Sequence, residues 1–479
     1  MRMNNVILIA ADQLRYDILG KGFTPTIDTL IGESTVFTSA YCTSPLCVPA
    51  RGSLFTGTFP NTSGSLINPW HEPDVPFGLV TQGIKNMYQV LSDAGYDCFH
   101  SGKQHLYLEG GQPEDEKDTP VSWLSTEKTY KQFLAESGLR RPGGKEYRTI
   151  CPKIISGQVT KGKGYSNPRV GVYEAGVANY FDGYFTDRLL EGLKGRDKER
   201  PLFVSAMFLA PHPPFCIPEP YFSLYDDSDV MLPENVGLWA EGQSPLQLYQ
   251  VTGAIGTGYT QKEWRESWRV YLGLCTLLDD QVKRILDYLK AEGLYDDSLI
   301  IFTSDHGEML GSHQLFQKMC MYEEASKVPL SFKFPHEAGF VEKTDLVSHV
   351  DVFPTICDFL GIETPDTVEG DSLLQGDVQS NKAVFLQFDG TDYLGNYSRC
   401  VVKDGYKLIL DIFKDEIFIE LYNLKNDPQE MLNLAFDAGY QVMAEELIAE
   451  LGSHMKRTND HYDLPPLDVQ GFVAMYKNI

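Results

Sequence analysis

The feature that most limits what this chain can become is a series of strand-length segments, each ending in residues that carry charge or bind ions. Residues 6–11 are continuously apolar and end at Asp12 and Gln13. Residues 96–101 lead into Gly102-Lys103-Gln104-His105, residues 202–209 into Ala210-Pro211-His212, and residues 298–304 into Asp305-His306-Gly307-Glu308. The continuous apolar run 6–11 suits a parallel strand covered by helices on both faces, and in open α/β sheets ligands bind beyond the carboxyl ends of the strands. One ionisable residue at a strand end is unremarkable. A set of them from sequence-distant segments is harder to dismiss, and Asp12 hardest of all, because an unpaired carboxylate ending a buried strand is costly.

Between the first two runs lies a second constraint. Cys47, Pro49 and Arg51 stand at the spacing Cys-x-Pro-x-Arg, with Pro49 where a helix is expected to begin and Gly57 where it is expected to stop. A nucleophile at a helix N-terminus lies among unpaired N–H groups and the positive end of the dipole, which favour an oxyanion, and Arg51 one turn on adds a fixed charge. Taken alone, a buried and inert cysteine before a helix satisfies the same pattern.

At 479 residues, 42% of them hydrophobic, the chain exceeds what one core usually serves, so a large domain over 1–375 and a smaller one over 376–479 are expected. Within the first, helices are expected at 25–31, 84–94, 175–193, 264–291 and 352–360, and further strands at 36–40 and 328–334. Residues 60–80 read as a loop in which Trp70 and His71 are candidate substrate contacts, a packed tryptophan being about as good an account. Residues 110–173 read as a surface excursion, and 213–260 as a long irregular segment of the kind that carries function. From about 380 the pattern alternates, with antiparallel strands at 383–388, 400–402, 406–410 and 417–422 and a last helix at 441–455.

The formal charge of −25 argues against nucleic acid or an anionic membrane as partner. Nine cysteines without a C-x-x-C pair read as a reduced, structural set, with Cys47 the exception. The first residues are a poor signal peptide and no run approaches a membrane span, so the chain as it stands is expected in the cytoplasm, or in the periplasm or outside the cell if a leader was removed.

Asp12, Gln13, Asp305 and His306 offer the carboxylate, amide and imidazole donors that hold a divalent cation. Arg51, Lys103, His212 and Lys318 add cations and donors, which together describe a pocket for a tetrahedral anion bound to metal. Singly, each has a plainer reading: His212 as a packed turn histidine, Asp305-His306-Gly307 as a strand-end turn, Lys318 as a solvated lysine.

The blocks Cys47-x-Pro49-x-Arg51 with Thr56-Gly57, Gly102-Lys103-Gln104-His105-Leu106, Pro211-His212-x-Pro214 and Thr303-Ser304-Asp305-His306-Gly307-Glu308 resemble the signature of the formylglycine-dependent sulfatase family, within the alkaline-phosphatase-like superfamily. The resemblance continues through Lys318, Tyr322-Glu323-Glu324, Val328-Pro329-Leu330 and the stretch from Leu421 to Leu434, so it spans nearly the whole chain. It implies an α/β fold: a mixed, mostly parallel sheet flanked by helices, with a smaller C-terminal α+β domain containing an antiparallel sheet. It further implies that a maturation enzyme oxidises Cys47 to formylglycine, whose hydrated aldehyde attacks the sulfur of a small-molecule or carbohydrate sulfate ester. Collapse through the second geminal hydroxyl then ejects sulfate without water attacking the covalent ester.

By the same resemblance Asp12, Gln13, Asp305 and His306 would hold the metal, usually Ca²⁺. Arg51 would order the hydrate, and Lys103, His212 and Lys318 would grip the sulfuryl oxygens, with His212 or Lys318 protonating the leaving group. His105 would serve as base for the collapse. Three departures stand out. Gln13 replaces a second acidic ligand, His306 replaces asparagine and suits Mn²⁺ or Zn²⁺ better than Ca²⁺, and Ala50 replaces serine between the proline and the arginine. The first two also occur in phosphonate and phosphodiester hydrolases of the superfamily, which makes that activity the alternative to sulfate-ester hydrolysis. A non-catalytic anion-binding protein with Cys47 as a thiol is a third reading. A cysteine-nucleophile phosphatase is disfavoured because its loop, with five residues between cysteine and arginine, is absent.

Overall fold

Seven strands running one way and one running against them form the large sheet of the computed structural model, which describes residues 4–70, 72–115, 119–155, 158–337, 339–374 and 382–476. In chain order the strands are β1 (Asn5–Asp12), β2 (Thr35–Tyr41), β3 (Asp97–Gly102), β4 (Val121–Ser125), β5 (Arg148–Ile155), β6 (Gln158–Ser166), β7 (Val170–Val172), β8 (Leu202–Pro211), β9 (Phe215–Ile217), β10 (Ser298–Ser304), β11 (Leu330–Lys333) and β12 (Val341–Ser348). The large sheet has the order β12-β2-β11-β10-β1-β8-β3-β4, with β11 opposed to both its neighbours. β1 and β10 are buried along almost their whole length, as the apolar runs 6–11 and 299–302 require, and they lie at the centre of the sheet.

The long helix Gln261–Ala291 packs on β8 and lays down a stripe that includes Tyr271, Leu274, Leu278, Val282, Ile285 and Leu289, all buried. It begins three residues before the expected 264, because Thr260 caps it and forms a box with Glu263. The second sheet is antiparallel, β13 (Val384–Phe388), β14 (Tyr397–Lys403), β15 (Tyr406–Phe413) and β16 (Glu416–Asn423), and the helix Gln441–Arg457 packs on β14. It has its own core, which includes Val401, Leu408, Leu410, Leu421 and Leu451. The expected division at 375/376 falls at residues outside those described.

Two expectations need correction. Residues 110–173 are not merely a surface excursion, since they supply β4, the edge strand of the large sheet, the helix Glu127–Glu136 and the β5–β6 hairpin. Glycine and proline punctuation hid a short strand whose pairing with β3 is long-range. The helix that carries the cysteine motif begins at Cys47, two residues ahead of Pro49. Proline is tolerated anywhere in the first turn, where an N–H has no intrahelical partner to lose. Its end is as expected: Gly57 is left-handed, with φ 68°, and closes the helix by donating its N–H to the Ser53 carbonyl. Among the described residues no helix is long and apolar enough to cross a membrane.

Candidate active site

Five sequence-distant segments meet at the carboxyl edge of the large sheet. Asp12 is the last residue of β1 and lies opposite Pro211 at the end of β8, and Ala11 lies opposite Ser304 at the end of β10, so three strand tips finish level. β3 is brought alongside by Gly102: a Cβ there would lie 1.9 Å from the Met207 carbonyl oxygen, and that oxygen accepts the Lys103 N–H at 2.8 Å. Only glycine permits this approach. The helix Cys47–Thr56, buried throughout, points its N-terminus at the same place.

Arg51 organises the two carboxylates. Its Nη2 donates to Asp12 Oδ2 at 3.1 Å and its Nε to Asp305 Oδ2 at 2.9 Å, while Nη1 is bound to the Lys103 carbonyl. The other carboxylate oxygens turn toward the cysteine: Cys47 Sγ is 3.8 Å from Asp12 Oδ1, and His306 Nε2 is 4.0 Å from Asp12 Oδ1 and 3.6 Å from Asp305 Oδ1. His306 Nε2 itself lies 3.1 Å from Cys47 Sγ. Ligand atoms of Asp12, Cys47, Asp305 and His306 thus all fall within 4.8 Å of one another, in a fully buried cluster.

Gln13 has a left-handed backbone, φ 69°, and its N–H binds Asp305 Oδ1 at 3.1 Å. Its Nε2 donates to Glu308, which leaves Oε1 to accept from Lys318 Nζ at 2.6 Å.

The opposite wall is cationic. Lys103 Nζ is paired with Asp12 and lies 3.5 Å from Cys47 Sγ. Lys318 Nζ lies 3.1 Å from His212 Nε2, and His212 Nδ1 faces the Pro213 carbonyl. With the Nδ1 proton given to that carbonyl, Nε2 is the acceptor for the Lys318 ammonium. Burial, and then the Lys318 charge, push His212 down to about 4, so the ring is neutral. Burial raises the Cys47 thiol, but Lys103, Lys318 and His306 outweigh it and hold the thiol well below its usual range. Asp12, raised by burial and by Cys47, is held below the ordinary carboxylate range by Lys103, His212 and Arg51.

His105 also faces Cys47, and its Nε2 is 3.0 Å from Glu127 Oε1. Burial favours the neutral acid at Glu127, yet His105 and Lys103 together bring it down to about 2, so it stays a carboxylate and fixes the imidazole. Glu127 and Glu308 were not singled out from the sequence. Glu308 was visible as the tail of Asp305-His306-Gly307-Glu308, whereas Glu127 stands in the segment read as an excursion, and no spacing there points to it. Trp70 is 45% exposed and meets the His105 ring edge-on at 6.0 Å. His71 lies outside the described residues. All nine cysteines are buried and unpaired by disulfides.

A mixed, mostly parallel sheet whose carboxyl tips collect two carboxylates, an imidazole and a helix-borne cysteine, under lysines from other loops, defines an enzyme of the alkaline-phosphatase-like superfamily. The sulfatase family model matches residues 4–362, and the model for the C-terminal part of N-sulphoglucosamine sulphohydrolase matches residues 311–457. The chain belongs to the sulfatase family. It is 29% identical over 530 residues to the multifunctional alkaline phosphatase superfamily protein PehA of Trinickia caryophylli, an alignment covering 97% of this chain and 98% of that protein. It is 25% identical over 475 residues to an arylsulfatase of Clostridium perfringens, covering 91% of each. Its fold is similar to the crystal structure of the phosphonate monoester hydrolase of Agrobacterium radiobacter, with a TM-score of 0.75, 24% identity, and coverage of 95% of this chain and 96% of that one.

Proposed function

We propose that this chain is a sulfuric-ester hydrolase that cleaves a sulfate monoester to alcohol and sulfate, with Cys47 matured to formylglycine by a separate enzyme. The observation that carries the reading is the position of the Cys47 side chain, at a helix N-terminus between metal-type donors and a wall of lysines and histidines. The hydrated aldehyde would supply one hydroxyl to attack sulfur and a second whose deprotonation lets the ester collapse.

Asp12, Gln13, Asp305 and His306 are the residues that would hold a divalent cation. Arg51 engages the Oδ2 atom of each aspartate, and Asp12 Oδ1, Asp305 Oδ1 and His306 Nε2 remain gathered on the Cys47 side. Such a cation would act as a Lewis acid on the bound ester. Ca²⁺ is the ion the family resemblance implies, and the His306 nitrogen also suits Mn²⁺ or Zn²⁺.

The chain's own groups divide the remaining work. Lys103 and Lys318 would hold the sulfuryl oxygens, fixed charges in a water-poor pocket being effective where negative charge develops. Lys318, seated on the neutral His212 ring, would give the departing alcohol its proton. His105, oriented by Glu127, would take the proton from the second hydroxyl.

A second reading, phosphonate monoester or phosphodiester hydrolysis at the same site, is favoured by the uncharged Gln13 amide beside Asp12 and by the similarity to PehA, named as multifunctional. The chain produced together with a formylglycine-generating enzyme separates the two on matched aryl sulfate and aryl phosphonate monoesters. The proposal expects the sulfate to be turned over faster, and a large preference for phosphorus would replace it with the second reading.

A further inference from the structure

Outside the catalytic cluster, four side chains from three remote segments form a continuous wall beside His105. Trp70 presents an indole that is 45% exposed. Lys163, on β6, places its ammonium 5.1 Å from the centre of the Trp70 ring and 5.4 Å from that of Tyr165. Asp392, from the loop between β13 and β14, is fully buried and holds Lys163 Nζ at 2.6 Å, while its other oxygen accepts from the Tyr165 hydroxyl at 3.3 Å. The Lys163 side chain keeps 22% of its surface exposed.

The backbone locks this wall to the reaction centre. Asn68 donates its N–H to the Thr391 carbonyl at 2.9 Å, the Thr391 hydroxyl reaches Met319 Sδ at 3.5 Å, and Met319 follows Lys318 and donates to the Pro45 carbonyl at 3.1 Å. A buried carboxylate that fixes a partly exposed ammonium over an indole is an expensive arrangement for a surface loop, since ordering a lysine costs side-chain entropy. Exposed ion pairs of ordinary kind contribute little to stability.

Resting on the sulfatase reading, we infer that Trp70 and Lys163 form the subsite for the alcohol half of the ester, and that this half is a sugar ring bearing its own anionic group. The indole offers a flat apolar face to the C–H side of a sugar ring. The ammonium stands where it would meet a carboxylate or second sulfate on that ring, in a charge-assisted hydrogen bond. Asp392 and Tyr165 are positioning residues for Lys163. A neutral sugar or an unsubstituted aryl ester would use the catalytic cluster without adding a contact to Lys163.

The test is a charge ratio measured with the formylglycine-bearing enzyme. Carboxyphenyl sulfates with the carboxylate ortho, meta or para are compared with their carboxamides, and glucuronate sulfates with the glucose sulfates esterified at the same positions. A charge-assisted contact predicts that the best carboxylated ester exceeds its neutral match in kcat/KM by about tenfold or more. Lys163→Met is expected to bring that ratio close to one, and Lys163→Arg to keep most of it. Sulfate release with no preference for the carboxylated member of any pair, or a preference that Lys163→Met leaves intact, overturns the subsite while leaving the sulfatase reading standing. Absence of sulfate release from every ester by the matured enzyme overturns both.

Discussion

Among the buried clusters of charge in the described residues, two differ in how their cations are used. At the junction of the two sheets, Lys407 on β15 lies 2.8 Å from Glu323 and 2.8 Å from Glu430, and Glu430 also accepts the Glu323 N–H at 2.7 Å. Tyr41 adds a hydroxyl to Glu323 at 3.2 Å, and the neighbouring Glu420 accepts from Tyr322, Tyr422 and the Ser244 N–H at 2.8 to 2.9 Å. His313, Glu324 and Glu430 come close enough to suggest a metal site, but Lys407 already supplies a cation to Glu430. The catalytic cluster uses its cations differently. Arg51 engages Oδ2 of both aspartates, Lys103 is paired with that same Oδ2 of Asp12, and Lys318 is held by Gln13 and His212, so these cations lie away from Asp12 Oδ1 and Asp305 Oδ1. The first cluster is balanced by the chain itself and joins two parts of the fold. The second gathers donor atoms that could hold a metal ion, as the proposed function requires.

That contrast can be broken at either end. The largest effect belongs to the nucleophile: Cys47→Ala, produced with the maturation enzyme, is expected to lower kcat on an aryl sulfate by about 10⁴-fold or more. Its thermal unfolding should stay close to that of the parent. Residual activity near the parent level would mean that position 47 is not the reacting group.

At the junction the effect should be on stability instead. Lys407→Met strands buried carboxylates and is expected to cost about 3–5 kcal/mol in urea unfolding, with kcat per folded molecule retained. A variant as stable as the parent would show that the junction charges are not balanced through Lys407.

Lys318→Ala sharpens the comparison from the catalytic side. Loss of a preorganised cation and proton donor predicts a fall in kcat of roughly 10²–10³-fold, read by comparing esters with good and poor leaving groups. The loss should be greater for the poor leaving group, whose departure needs the proton, and equal losses would remove Lys318 from that role.

The smallest effect is a pH dependence at the junction. Burial, and then the Asp411 carboxylate, push Glu420 up from 4.5 to about 8. The native state therefore holds a proton that the unfolded chain releases, and this contribution to stability is full below about pH 4.5 and lost as pH rises through about 8. Glu420→Gln should reduce the fall in Tm between about pH 5 and pH 8 by roughly 2–4 °C. An unchanged slope would contradict a proton held there.

Much of the reacting end could be read from the chain because it depends on local signals. Strand tips, a left-handed glycine after a helix and a five-residue motif are visible without knowing which strands pair. Asp12, Lys103, His212, Asp305 and His306 were legible for that reason, and the structure does bring them together with Cys47, Arg51, His105 and Lys318. Their chemical roles remain the proposal made above. What was hidden depends on long-range pairing. β4 is five residues long and gains its place only by lying beside β3, so Glu127, which follows it, could not be connected with His105. The junction was hidden for a related reason: Lys407, Glu323 and Glu430 come from separate segments and mean little until two sheets are docked.

The pocket is expected to work on a sulfate ester only when residue 47 has been oxidised to formylglycine. Samples prepared with graded amounts of the maturation enzyme allow a direct measurement: the fraction of the peptide containing residue 47 that carries the aldehyde, by mass, against the rate of sulfate release from an aryl sulfate. The expected plot is a straight line through the origin. Protein carrying only the Cys47 thiol that releases sulfate as fast as fully converted protein would contradict it.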